Sequence, residues 1–169
     1  MILKKNHGIS DLEDSKKLSS KKRNSLFAEI HSSSVSIGIG RVEIEVIDKI
    51  NIKNATLLAM KNALKDLSIK PDLVLIDGLD KPDTNIEAEC IVKGDSKVDS
   101  IMSASIIAKV TRDQIMINYS KIFFEYGFEK NKGYGTKQHM IALENFVSTP
   151  IHRRSFQPVN KYLPTLKWL

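Results

Sequence analysis

A single cysteine, Cys90, stands in the 169 residues. One thiol builds neither an internal disulfide framework nor a thiolate zinc cluster, so a reducing cytoplasm is the expected compartment. No apolar run approaches the ~20 residues needed to cross a bilayer. The opening MILKKNHGIS reaches its lysines after a very short apolar stretch, so it has no secretory h-region. Internal repeats and long linkers are also absent. What is present suits one soluble domain: 41% hydrophobic and 27% charged residues, enough to bury a core. The net charge of +6 favours polyanionic partners, because each Lys or Arg that meets a phosphate releases a counterion. A basic surface kept for solubility explains the same excess equally well.

Periodicity gives the organisation. Ser19 or Ser20 caps a helix to about Ile30, with Leu26, Phe27 and Ile30 on its buried side. In residues 35–42, Val35, Ile37 and Ile39 alternate with Ser36, Gly38 and Gly40, the period of a half-buried strand. The glycines mark a bend or a close backbone approach. Residues 43–49 form a short helix. Asn51 caps a longer one whose apolar face carries Ile52, Ala55, Ala59, Ala63 and Leu67. Residues 72–78 (DLVLIDG) read as a buried strand of a helix-covered sheet, and residues 87–94 as another strand. A helix over 99–119 carries a stripe of mostly small residues: Ile101, Ala104, Ser105, Ala108 and Arg112. Residues 123–135 read as an aromatic, glycine-rich loop, and Thr136 as the cap of a helix reaching Phe146. The alternation of strands and helices makes the class α/β.

Asp77 and Asp95 each close a strand. In open α/β sheets ligands gather beyond the carboxyl ends of strands, and two carboxylates brought together there need a proton or a cation. Mg²⁺, a hard oxygen-seeking ion, suits such a pair. A turn at Asp77-Gly78 and a cap at Asp95 account for the same residues without any ligand. Asp14, Asp48, Asp99 and Asp113 lie in or beside helices, where capping or ion pairing explains them. Glu87 and Glu89 face solvent from a strand. His7 and His31 read as surface residues, His139 and His152 as satisfied structural groups. In Lys132-Gly133-Tyr134-Gly135-Thr136 the glycines let the backbone approach a sugar–phosphate chain, the ring packs on a sugar or base, and Lys132 meets a phosphate. A tyrosine filling a gap in the core is the competing reading.

Eight stretches in register resemble ribonuclease HII: DSKKLS (14–19), IDKINIKNATLLAM (47–60), VLIDG (74–78), VKGD (92–95), SASIIAKVTRD (103–113), YGF (126–128), KGYGT (132–136) with His139, and HRRSF (152–156). The resemblance implies one ribonuclease H-like α/β domain over 1–169, a mixed sheet flanked by helices, with a helical and loop region from about 120. It implies an endonuclease that cuts the RNA strand of RNA–DNA hybrids and at ribonucleotides embedded in DNA. The family uses two divalent ions, Mg²⁺ or Mn²⁺, held by four carboxylates, for in-line phosphodiester displacement. Two of those carboxylates fall on Asp77 and Asp95, the implied catalytic and metal-binding residues. The family's ribonucleotide-sensing tyrosine falls on Tyr134. Lys16, Lys132 and Arg153 join it as implied nucleic-acid contacts. A cytoplasmic monomer is implied.

The family's first strand carries an Asp-Glu pair followed by Gly-Arg-Gly, and this sequence has neither. Met1-Ile2-Leu3 resembles the end of the family's second strand. The expectation is therefore a sheet without the first strand and most of the second, in which the strand at 35–42 has lost its link to those at 72–77 and 87–93. Two carboxylates do not replace four, so one weakly held ion or none is expected. Besides a nuclease needing the absent strand, two outcomes stand open: a nucleic-acid-binding fragment without turnover, and a fragment without a stable fold.

Overall fold

A computed structural model describes residues 1–164. The elements alternate as expected: β1 (Ile2–Leu3), α1 (Ser20–Ser33), β2 (Ser34–Ser36), α2 (Ile44–Lys65), β3 (Leu73–Asp77), β4 (Glu87–Ile91), α3 (Asp99–Ser120), α4 (Phe128–Asn131) and α5 (Lys137–Phe146), with 3₁₀ turns at Gly94–Ser96, Phe124–Tyr126 and Val159–Lys161. The chain forms two compact units, residues 1–42 with 53–111, and 43–52 with those from 112 onward.

In the first unit the strands form two separate ribbons. β1 pairs antiparallel with β2, and β3 pairs parallel with β4, Leu73 opposite Glu87 through Asp77 opposite Ile91. The separation of 34–36 from 73–77 and 87–91 is the one expected of a sheet lacking its central strand. Ser19 caps α1, its hydroxyl accepting from Lys22 N–H at 3.2 Å. Leu26 and Ile30 of α1 meet Ile106 and Ile107 of α3 and Ile9, with Leu3 and Ile37 packed alongside. Burying each such aliphatic side chain contributes about 2 kcal/mol.

Two readings of this unit need correction. β2 ends at Ser36, well short of residue 42, and its polarity is inverted. Ser36 is buried while Val35 and Ile39 are exposed. Ser36 is tolerated inside because Ser68 satisfies it, hydroxyl to hydroxyl at 3.0 Å and Ser68 N–H to Ser36 Oγ at 3.0 Å. The strand at 73–77 is not buried throughout: Ile76 is, but Leu73 is 45% exposed, since a two-stranded ribbon leaves an edge and a face uncovered. The buried face of α3 is Ile101, Met102, Ser103, Ile106 and Ile107; of the small-residue stripe only Ile101 belongs to it, and Ala108 is exposed.

The expected glycine approach is present. A Cβ on Gly38 would lie 2.1 Å from the Ala63 carbonyl oxygen, and one on Gly40 1.8 Å from that of Ala59. Both obstacles are backbone of α2, which cannot swing aside. α2 itself breaks at Asn51 (φ 66°, ψ 167°), which divides it into the two helices expected.

In the second unit Met116, Tyr126, Phe128, Ala142 and Leu143 form the core, with Phe123, Met140 and Ile151 against it. The stretch 123–135 is therefore more than a loop: two short helical turns bury Tyr126 and Phe128. Thr136 caps α5 as expected, accepting from His139 N–H at 3.3 Å.

Gly40→Ala should destabilise the chain by about 3 kcal/mol or more, because the added methyl is forced against helix backbone. Gly135→Ala, with nothing within 4 Å of its Cβ position, should stay within about 0.5 kcal/mol. Urea unfolding of the two variants checks the pair.

Candidate active site and nucleic-acid contacts

β3 delivers Asp77 to its carboxyl end, followed by Gly78 at φ 114°. That glycine N–H returns to the Ile91 carbonyl at 3.2 Å, closing the ribbon. β4 then turns through Lys93, left-handed at φ 57°, into the 3₁₀ turn that carries Asp95. Gly94 N–H donates to Asp77 Oδ1 at 2.9 Å. The Asp77 carboxylate is thus bonded to the residue adjoining Asp95. Gly94 is buried and closely packed; a Cβ there would meet the Ile101 side chain at 2.6 Å. Asp77 is exposed and Asp95 half-buried, and no side-chain hydrogen bond or ion pair fixes Asp95 among the described residues. Free carboxylate lone pairs beside a solvent-open strand end suit one hard divalent cation that keeps several waters. They do not suit two: no group of three or more His, Cys, Asp or Glu able to hold a metal exists among the described residues.

The other acids have structural duties. Asp14 accepts from Lys16 N–H at 2.9 Å, and its carbonyl from Lys17 N–H at 2.9 Å. Arg23 Nη1 donates to the Ser15 and Leu18 carbonyls. DSKKLS is therefore a clamped turn that leaves the Lys16 side chain exposed. Asp99 pairs with His7 Nε2 at 3.2 Å, and His7 Nδ1 accepts from Ile9 N–H at 3.2 Å. His7 is thus a partly buried loop clip, not a surface residue. Glu87 and Glu89 face solvent as expected.

In the second unit Tyr134 is 61% exposed, which removes the core-filling reading. Its turn is held from below. Buried Asn131 accepts from Gly133 N–H through Oδ1 at 2.8 Å, and donates to the Tyr126 carbonyl at 2.6 Å. Tyr134 N–H bonds the Asn131 carbonyl at 2.9 Å, and Thr136 N–H the Tyr134 carbonyl at 2.8 Å. Gly133 takes φ 82° to make the turn. Lys132 is half-buried, its ammonium donating to the Glu129 carbonyl. Arg112 donates to the Lys132 carbonyl at 3.2 Å. Arg153 lies with its guanidinium carbon 5.1 Å from the Phe156 ring centre. Burial, then the charge of Arg112, lowers its pKa, partly offset by Asp48.

Sequence reading missed the anchor of the HRRSF loop. Asp48 accepts from Arg154 N–H at 3.0 Å, Ser155 N–H at 3.0 Å and Ser155 Oγ at 2.5 Å. Burial raises its pKa, but these hydrogen bonds and the Arg154 charge outweigh that and hold the carboxyl below its usual range. The partners lie more than a hundred residues apart, so no local pattern announces them. His139 and His152 are the satisfied structural groups expected. Both are buried, with Nε2 atoms 3.0 Å apart.

The fold places the chain among α/β ribonuclease H-like proteins. The family described as Ribonuclease HII matches residues 4–159. A relative named ribonuclease HII from Coxiella burnetii (strain RSA 493 / Nine Mile phase I) is 50% identical over 153 residues, covering 90% of this chain and 76% of its own length. Another ribonuclease HII, from Lactobacillus gasseri, is 48% identical over 162 residues, covering 96% of this chain and 64% of its own. The crystal structure of the ribonuclease H2 from Pyrococcus horikoshii OT3 is similar with a TM-score of 0.75 at 26% identity, covering 89% of this chain and 79% of that one. The chain belongs to the ribonuclease HII family, whose members are metal-dependent ribonuclease H-type endonucleases acting on RNA–DNA hybrids. No helix among the described residues is long and apolar enough to cross a membrane.

Burial, with the neighbouring His139 adding to it, lowers the pKa of His152 to about 4. The folded state therefore favours the neutral ring. The stability this gives is complete above the unfolded value of about 6.5 and is lost as pH falls from there through about 4. Urea unfolding between pH 7 and 4 should show a loss on the order of 2 kcal/mol that His152→Asn largely removes.

Proposed function

We propose that the protein is the body of an endonuclease that cleaves the RNA strand of RNA–DNA hybrids and at ribonucleotides embedded in DNA. Asp77 and Asp95 hold a divalent cation, Mg²⁺ or Mn²⁺. Lys16, Lys132, Tyr134 and Arg153 contact the nucleic acid, and the protein works as a cytoplasmic monomer. One observation carries the reading: parallel pairing of β3 with β4 brings Asp77 and the turn that carries Asp95 to the same end of the ribbon, where Gly94 N–H bonds the Asp77 carboxylate. When bound, the cation would supply charge stabilisation for phosphodiester hydrolysis.

The chain's own residues do the rest. Gly94 N–H orients Asp77 by holding one of its oxygens. Asp95, with no side-chain hydrogen bond among the described residues, keeps its lone pairs for the ligand. Tyr134 offers a ring face to a sugar or base, and ribose differs from deoxyribose there by a 2′-hydroxyl. Two carboxylates are half of the set that two ions need, and no Asp-Glu pair with Gly-Arg-Gly occurs in this sequence. Turnover therefore requires a segment carrying that pair. The 169-residue chain alone acts as a binder.

Two assays test this. The chain as given should show little or no cleavage of a labelled hybrid. Joined to an Asp-Glu strand it should cut, and Asp77→Asn should then lower the rate by at least about a hundredfold. Robust metal-dependent cutting by the unextended chain would refute the requirement. Binding of the unextended chain to hybrid duplex should weaken with salt. Tyr134→Ala should cost about tenfold in affinity, and Arg153→Ala should reduce the salt slope by about one. Equal affinity for an unrelated acidic polymer would count against specific recognition.

A further inference from the structure

Two buried imidazoles meet directly beneath the Tyr134 turn, and their hydrogen bonds admit one proton order. Thr149 N–H, a donor without alternative, lies 3.0 Å from His152 Nδ1, so that nitrogen is bare. At the other end the Tyr134 carbonyl, which has no proton, lies 3.0 Å from His139 Nδ1, so that nitrogen carries one. A neutral His139 then has a bare Nε2. A neutral His152 has a protonated Nε2, and it donates across the 3.0 Å between the rings. The chain of donors runs one way: Thr149 N–H to His152, His152 to His139, His139 to the Tyr134 carbonyl. Thr149 Oγ1, 2.8 Å from His152 Nδ1, adds a second donor at the start.

The surroundings leave the rings little freedom. The Tyr126 ring centre lies 5.1 Å from that of His152, and the Phe128 ring centre 5.3 Å from that of His139, edge to face. Both imidazoles are about 95% buried. The Tyr126 hydroxyl is itself fixed on the Phe146 and Val147 carbonyls. A ring that turned would leave donors and acceptors unpaired in an aromatic box.

We propose that His139 and His152 are positioning residues for nucleic-acid binding, holding the 133–136 turn by its Tyr134 carbonyl so that the Tyr134 ring is presented ready-made to the hybrid. This rests on the reading of Tyr134 as a nucleic-acid contact. The pair touches no substrate. It acts through the turn, and it couples the KGYGT segment to the loop that begins at Thr149.

The two nitrogens of His139 are separable by substitution. Asparagine places an amide donor near the Nδ1 position and keeps the bond to Tyr134. Glutamine reaches the Nε2 position and loses that bond. In the unextended chain, His139→Gln should speed amide hydrogen exchange at Gly133 and Thr136, while His139→Asn leaves it near the parent's. Affinity for a fluorescein-labelled RNA–DNA hybrid should fall about tenfold in His139→Gln, and adding Tyr134→Ala should cost nothing further. Unchanged exchange in His139→Gln, or a Tyr134→Ala penalty as large in that background as in the parent, would overturn the positioning role. If Tyr134→Ala leaves parent binding intact, the contact reading fails, and the proposal with it. Nitrogen-15 shifts of the unsubstituted chain give a check that needs no variant. They should show His139 protonated at Nδ1 and His152 at Nε2, and the reverse tautomers would overturn the chain of donors.

Discussion

The parallel pairing of β3 with β4 is the constraint on which the proposed chemistry depends. Antiparallel strands would deliver Asp77 and the turn before Asp95 to opposite ends. Parallel strands, in the register that sets Asp77 opposite Ile91, deliver both to one end. The bond from Gly94 N–H to Asp77 then ties the two strand exits together. It satisfies a backbone donor on a buried glycine and aims a carboxylate at the same time. A Cβ on Gly94 would press on the Ile101 Cδ1 at 2.6 Å, so a larger residue here requires that side chain to turn aside.

A two-stranded ribbon is marginal by itself, since it has two open edges and no neighbour to cover its faces. The first unit shows the consequence in Leu73 and Val35, apolar strand residues that remain substantially exposed. Its order comes from helices. α1 and α3 bury Leu26, Ile30 and Ile106 almost completely, and Gly38 and Gly40 lay their backbone on α2. The nuclease elements are thus held by helix packing and glycine contact where a continuous sheet would otherwise hold them.

Much of this was legible in the sequence. Caps at Ser19 and Thr136, the break at Asn51 and the strands ending near Asp77 and Ile91 follow from local chemistry: a hydroxyl before an apolar period, an asparagine tolerant of positive φ, an aliphatic run closed by glycine. The failures share a cause, which is distance along the chain. Ser36 is inside because Ser68 meets it, thirty-two residues on. Ser103 looks polar, yet it sits fully buried on the helix that carries Ile106 and Ile107. Asp48 looked like a helix-surface acid, and it anchors a loop beyond residue 150. Periodicity reports which residues share a face; it does not report what that face meets.

The way the 133–136 turn is supported in the second unit follows the same logic of hydrogen-bond satisfaction. The turn is held by Asn131, by the two imidazoles and by backbone groups, with the Arg112 guanidinium on the Lys132 carbonyl at its start. An ion pair in that place would feel both salt and an approaching phosphate chain, so its geometry would depend on whether ligand was bound. Hydrogen bonds among neutral, buried groups are nearly indifferent to both. The cost is that His152 must stay unprotonated, which burial among Tyr126 and Phe128 enforces at neutral pH. Under the proposed function, a buried network that carries little charge presents the Tyr134 ring without its own geometry changing as a phosphate chain approaches.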